Sequence, residues 1–141
     1  MYRVMTTDTA PTDLMILINR PDTTVAVVGA NDNPSKYGNR IYRNLKAKGI
    51  TVFGVNPYRD EVDGDRCYRS LADLPEAPTI VDFVIPPART LEVLAECREL
   101  GYTEVWIQPG AEDDAVIAYL EEHDFNHLVD ECIMVEAHSR A

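Results

Sequence analysis

Residues 24–57 read TVAVVGANDNPSKYGNRIYRNLKAKGITVFGVNP, and this stretch decides the fold. An apolar, β-branched run from Val25 to Val28 breaks at Gly29. A turn-rich loop follows, then an amphipathic segment ending at Gly49, then a second β-branched run that closes on Asn56-Pro57. Strand, loop, helix, strand is the βαβ unit, whose first loop is where such units hold phosphates. Gly29 has no Cβ, so a phosphate can approach the backbone there. The next amides and the helix start offer unpaired donors and the positive end of a dipole.

Two features separate this stretch from an NAD reader. Gly29 and Gly38 are the only glycines in the loop, and no G-x-G-x-x-G occurs. The second strand ends in Val55-Asn56-Pro57, where an NAD reader places the carboxylate that grips the ribose. The expectation is a nucleotide-like ligand, with NAD not the first choice.

Charge points to the same loop. The chain has 24 acids against 13 bases, a net charge of −11, yet no Asp or Glu lies between Asp32 and Asp60. That interval holds Lys36, Arg40, Arg43, Lys46, Lys48 and Arg59, nearly half of all the cations. Lys36, Arg40 and Arg43 recur at four- and three-residue spacing and share one side of the predicted helix near its start. An acid-free basic window on an acidic protein is expected to hold an anion. Lys46 and Lys48 read instead as complements to the helix C-terminus.

Working outward, 141 residues are read as one domain, residues 1–141, with residues 1–22 as an N-terminal segment carrying a short helix. Cys67, Cys97 and Cys132 are an odd number without metal-ligand spacing, which fits a reduced cytoplasmic setting. No run approaches the roughly 20 apolar residues of a membrane span, and residues 1–13 lack a signal-peptide core. The expected partners therefore exclude membrane. The acid excess disfavours nucleic acid, which wants a basic field. The same excess suits a salt-rich cytosol, and a halophilic source is the matching hypothesis.

Met1 to Ala10 reads as a loose start, and Thr12 or Asp13 as the cap of a helix through Leu14, Leu17 and Ile18. Arg59 to Pro78 reads as a long connection with turn signals at Asp63-Gly64 and Pro75 and one helical turn from Ser70 to Leu74. Ile80 to Ile85 is a third strand stopped by Pro86-Pro87. Ala88 to Leu100 is helical with Gly101 as its stop, and Thr103 to Gln108 is a fourth strand. Glu112, Asp113 and Asp114 load the start of another helix, and Asn126 to Val129 is a short fifth strand. Alternating strands and helices predict an α/β, doubly wound, five-stranded parallel sheet covered on both faces, in the order 3-2-1-4-5. The ligand then sits at the carboxyl ends beside the first strand.

Together, VAVVGANDNP (Val25 to Pro34), VNP (Val55 to Pro57), Cys67 to Pro75, VDFVIPP (Val81 to Pro87), VWIQPG (Val105 to Gly110) and the Asp130, Cys132, Glu136 pattern resemble the stand-alone coenzyme A-binding domain family. These are single-domain relatives of the nucleotide-binding domain in acyl-CoA and succinyl-CoA synthetases. The resemblance covers about Thr24 to His138. It implies a three-layer Rossmann-like fold that binds coenzyme A or an acyl-CoA. Gly29, Ala30, Asn31, Asn33, Lys36 and Tyr37, with Asn39 and Arg40 at the helix start, would face the diphosphate. Asn56, Pro57 and Tyr58 would lie near the adenosine and its 3′-phosphate. Phe83, Ile85 and Pro86 would flank the adenine and pantetheine, and Gln108 and Gly110 the pantetheine arm. Three positions depart from the family pattern. Asn31 stands for Ser and Met134 for a frequent Lys. Tyr58 stands for a Lys, with Arg59 as the substitute cation.

No H-E-x-x-H, Walker loop or G-x-S-x-G elbow occurs, and His123, His127 and His138 lack a partner pattern, so surface or packing roles are preferred for them. Cys132 is the one thiol at a matching family position; a small buried hydrophobe is the preferred reading over a mixed disulfide with coenzyme A. The leading expectation is a non-catalytic binding, sensing or carrier module, with a homo-oligomer or a partner enzyme subunit left open. The competing reading is an NADP- or nucleotide-sugar-dependent enzyme, with Arg59 accepting a 2′-phosphate. A third is an interaction subunit without a ligand.

Overall fold

The computed structural model describes residues 13–140. Its centre is the expected βαβ unit: β1 (Thr24–Val28), α2 (Tyr37–Ala47) and β2 (Thr51–Val55). Before it stands α1 (Leu14–Leu17), capped by the Asp13 carboxylate, which accepts from the Met15 amide at 2.9 Å. Thr12, the alternative cap, and the start from Met1 to Ala10 lie outside the described residues. β1 and β2 run parallel in register from Thr24↔Thr51 to Val28↔Val55.

A short hairpin follows, β3 (Glu61–Val62) and β4 (Asp65–Tyr68), then a single 3-10 turn at Leu71–Asp73. β5 (Ile80–Phe83), α3 (Pro87–Leu100), β6 (Glu104–Ile107), α4 (Asp114–Glu122), β7 (Asn126–Leu128) and α5 (Ile133–Glu136) complete the described chain. Seven strands form one sheet in the order β3-β4-β2-β1-β5-β6-β7, parallel except for the β3–β4 pair.

The α/β Rossmann-like sheet is as expected, but five strands become seven, and the strand in third place changes. The sequence reading gave the place outside β2 to Ile80–Ile85. That run instead pairs with β1, Val25 opposite Ile80, and β4 lies against β2, Gly54 opposite Cys67. The five expected strands thus run in the order 2-1-3-4-5 rather than 3-2-1-4-5, and β4 and β3 are added outside the second. Strands of two and four residues with polar members, EV and DRCY, carry no two-residue hydrophobic alternation to read. Only their Asp63-Gly64 turn was legible; both residues have positive φ, 53° and 78°.

Alternation along β1 divides the core. Val25 and Val27 face one layer with Ile41, Tyr42 and Leu45 of α2, Leu14 and Leu17 of α1, and Ile133 of α5. Ala26 and Val28 face the other with Leu94 and Cys97 of α3 and Val116 and Leu120 of α4. Complete burial of about a dozen large side chains, Trp106 and Phe83 among them, supplies the main favourable term. The segment after β7, for which the sequence predicted no element, forms α5 and is tied down. Trp106 Nε1 donates to the Glu131 carbonyl at 2.9 Å, and Arg140 Nη2 donates to the carbonyls of Arg20 and Thr23 at 2.7 and 3.1 Å.

Candidate functional site

The strand tips carry the loop from Gly29 to Lys36, built from its own short amides. Asn31 Oδ1 accepts from the Asn33 amide at 2.6 Å, and Asn33 Oδ1 accepts from the Ser35 amide and hydroxyl at 3.0 and 2.8 Å. Asn39, buried in the first turn of α2, donates to the Asn31 carbonyl at 2.9 Å; Asn56 at the tip of β2 donates to the Ala30 carbonyl at 2.9 Å. The two asparagines therefore pin the loop from both sides.

Packing within the protein adds its own requirement for glycine here. Gly29 has φ +104°, and a Cβ on it would meet the Val84 carbonyl and the Ile85 side chain. A Cβ on Gly38 would run into the Gly29 carbonyl. The pair lets α2 and the end of β5 close on the loop; Val84 and Ile85 fill the Cβ direction of Gly29, while Gly29 also lines two cavities at the strand tips.

α2 then begins without a side-chain cap. Lys36 at its N-cap position is extended, φ −100° and ψ 144°, and makes no capping bond. α4, by contrast, is capped by Asp113, whose carboxylate accepts from the Val116 amide at 2.9 Å, and α3 starts with Pro86 and Pro87, which have no N–H. The Asn39 amide already donates to the Lys36 carbonyl at 3.1 Å, so among the described residues the Tyr37 and Gly38 amides are the ones left for an outside acceptor at the positive end of an 11-residue helix.

This helix start opens into a cavity of about 620 Å³ lined at one end by Gly29, Asn31, Lys36, Tyr37, Gly38 and Asn56. Its other end is walled by Val84 to Pro87, Gln108 to Ala111, and Cys132. Gln108 is almost wholly buried: its Oε1 accepts from the Ile133 amide at 3.0 Å, and its Nε2 lies 3.4 Å from Cys132 Sγ. Among the described residues, Lys36, Tyr37 and Cys132 are the only ionisable side chains on the wall, and neither carboxylate nor imidazole reaches it.

A second recess of about 200 Å³ shares Gly29, Asn56 and Ile85 with the first. Pro57, Tyr58, Arg69, Ser70, Arg89, Val93 and Glu96 also line it, and Tyr58 is 80% exposed at its rim.

Of the residues singled out from sequence, Gly29, Asn31, Lys36, Tyr37, Asn56, Ile85, Pro86, Gln108 and Gly110 line the larger cavity, and Pro57 and Tyr58 the smaller. Six others sit elsewhere. Phe83 and Ala30 are fully buried core residues, because strand alternation turns Phe83 inward toward α3. Asn33 and Asn39 shape the loop from behind. Arg40 donates from Nε to the Pro34 carbonyl at 3.3 Å and stacks over the Tyr37 ring at 5.4 Å, outside the cavity. Arg59 turns to Asn31 Oδ1 at 3.4 Å and the Asp32 carboxylate at 3.8 Å. Of the histidines, His123 packs on Tyr119, His127 Nδ1 lies 3.0 Å from the Phe125 carbonyl, and none lines either cavity.

Arg69, Arg89 and Glu96 were missed. Arg69 directly follows β4, so recognising that strand would have placed it at a tip with the other loops. Asp82 was missed too. It lies wholly buried between Val27 and Trp106 of the neighbouring strands, with neither carboxylate oxygen partnered, and burial pushes its pKa well up. Among the described residues no group of three or more His, Cys, Asp or Glu side chains could hold a metal ion, and no helix is long and apolar enough to cross a membrane.

Comparison with known proteins bears on this site. The family model described as "CoA binding domain" matches residues 23–138. The chain is 34% identical over 84 residues to the alpha subunit of acetate–CoA ligase [ADP-forming] II of Pyrococcus furiosus, covering 59% of this chain and 18% of that subunit. It is 27% identical over 111 residues to the uncharacterized protein YneT of Bacillus subtilis, covering 79% of this chain and 82% of YneT. Among solved structures, a conserved hypothetical protein from Pyrococcus furiosus is 43% identical with a TM-score of 0.78, covering 81% of this chain and 98% of that one. A hypothetical protein from Pyrococcus horikoshii OT3 superposes with a TM-score of 0.79 at 28% identity over 90% of each chain. The chain spans less than a fifth of the ligases it matches, 18% and 11% of the first two.

Proposed function

The chain belongs to the CoA binding domain family, and from that premise we propose that it holds coenzyme A or an acyl-CoA across the strand tips as a non-catalytic binding, sensing or carrier module. One observation carries the reading: the uncapped start of α2, with Lys36 beside it, opens into a cavity that runs on between apolar walls to Gln108 and Cys132. A diphosphate accepts from the Tyr37 and Gly38 amides and pairs with Lys36. The mostly apolar, proline-rich wall from Val84 to Pro87 suits the pantetheine arm, whose amides find the polar atoms of Asn56 and Gln108. The thiol or thioester end then lies toward Gly110 and Cys132.

The competing NADP reading loses its support, since Arg59, its assigned 2′-phosphate partner, is held by Asn31 and Asp32. The ligase relatives carry the similar segment as a small part of a longer chain, and delivery of the bound thioester to a partner enzyme subunit is the role this best fits. Native mass spectrometry of freshly purified protein tests the reading. A retained species at the mass of coenzyme A or a thioester is expected, and an apo protein that gains no mass on adding either ligand rejects it.

A further inference from the structure

We propose that the smaller recess seats a purine ribonucleoside bearing a phosphomonoester, and that Arg69 and Arg89 read that phosphate. The proposal rests on coenzyme A as the ligand and adds which side chains select its 3′-phosphorylated form. The two cavities meet at Gly29, Asn56 and Ile85, so a diphosphate over the start of α2 leads one way along the larger cavity and the other way into the recess. The recess concentrates guanidinium groups, whereas the larger cavity has none.

Each arginine has donors to spare. Arg69 directs Nε and Nη2 to the Asp60 carboxylate at 3.0 and 2.9 Å and Nη1 to the Pro57 carbonyl at 2.9 Å. That occupies three of five guanidinium N–H groups and orients the rest. Arg89 meets Glu92 through Nε at 3.2 Å, which leaves both terminal nitrogens open. A phosphate dianion with three acceptor oxygens matches such paired forks. Glu96, also on the wall, repels a phosphate but accepts from an exocyclic amine, so it fits the base. Arg59, which sequence put in this role, is held by Asn31 and Asp32 and lines neither cavity.

The test is calorimetry on the full chain with coenzyme A and with its 3′-dephospho form, for the parent, Arg69→Ala, Arg89→Ala and Arg59→Ala. The parent is expected to prefer coenzyme A by about tenfold or more, the size of a lost charged hydrogen bond. Arg69→Ala and Arg89→Ala should each remove most of that preference while binding the dephospho form as the parent does, which also shows that they are folded. Arg59→Ala should keep the preference. Equal losses for both ligands, or a preference that vanishes only with Arg59→Ala, overturn the assignment. So does stronger competition from adenosine 2′,5′-bisphosphate than from its 3′,5′ isomer. A parent that binds both ligands equally overturns this inference alone; one that binds neither overturns the coenzyme A reading as well.

Discussion

Asp82 shows what one residue can cost. Its carboxyl sits in the middle of β5 without a partner, and burial raises its pKa well above the ordinary 3.8. The native protein therefore keeps a proton that the unfolded chain releases, and this group's contribution to stability falls as pH rises from about 3.8 toward the folded value. Asp82→Val, similar in volume and suited to a strand, removes that penalty. Its advantage over the parent should widen by up to about 1.4 kcal/mol per pH unit, read from urea unfolding between about pH 5 and 7. A constant difference over that range counts against the explanation. Gly38 gives the opposite case: Gly38→Ala drives a methyl into the Gly29 carbonyl and should lower stability by about 1–3 kcal/mol in the same assay. Sequence flagged Gly29 for ligand approach but hid its packing role, because the carbonyl that fills its Cβ space comes from Val84, a residue 55 positions away. It hid Asp82 altogether, since one acid inside Ile80 to Ile85 does not break an apolar run.

At the scale of elements, the start of α2 carries the site and its far half holds the sheet edge. Lys36 lines the cavity and Arg40 does not, so Lys36→Ala should weaken coenzyme A binding by about 1.5–3 kcal/mol, while Arg40→Ala has the smaller effect. The reverse ranking by calorimetry would place the diphosphate outside the cavity. Lower down α2, the Tyr42 hydroxyl donates to Asp65 at 2.8 Å and Lys46 reaches Asp65 and Asp63 at 2.7 and 3.1 Å, fastening the β3–β4 hairpin. Burial and the Asp65 carboxylate raise the Tyr42 pKa, and the Lys46 and Tyr42 hydrogen bonds lower that of Asp65. Tyr42→Phe should lose about 0.5–1.5 kcal/mol, and unchanged stability would show that the clamp is idle. The long helices and the β1, β2, β5 and β6 strands were legible because each has an apolar period and a glycine, proline or acidic stop. β3, β4 and α5 have too few residues to show a period, and the second recess stayed hidden with them.

Across the whole molecule, a net charge of −11 surrounds a basic window on α2 and its loop. Self-repulsion on such a body is relieved by salt, so we propose that the melting temperature rises with molar potassium chloride; no rise would argue against adaptation to a salt-rich interior. On the proposed function, the same charge pattern would draw a phosphorylated carrier toward the strand tips while the rest of the surface repels it. The acid-free interval between Asp32 and Asp60 pointed to that window, although four of its cations serve the scaffold. Arg40 braces the loop, Arg59 holds Asn31 and Asp32, Lys46 clamps the hairpin, and Lys48 donates to the Met134 carbonyl of α5. Titration of the full chain with coenzyme A by calorimetry bears most directly on the claim that those tips are a coenzyme A site. The predicted result is a saturable heat that Lys36→Ala weakens. A flat titration with coenzyme A and its thioesters up to about 1 mM, where even a binding free energy near −4 kcal/mol would register, contradicts it.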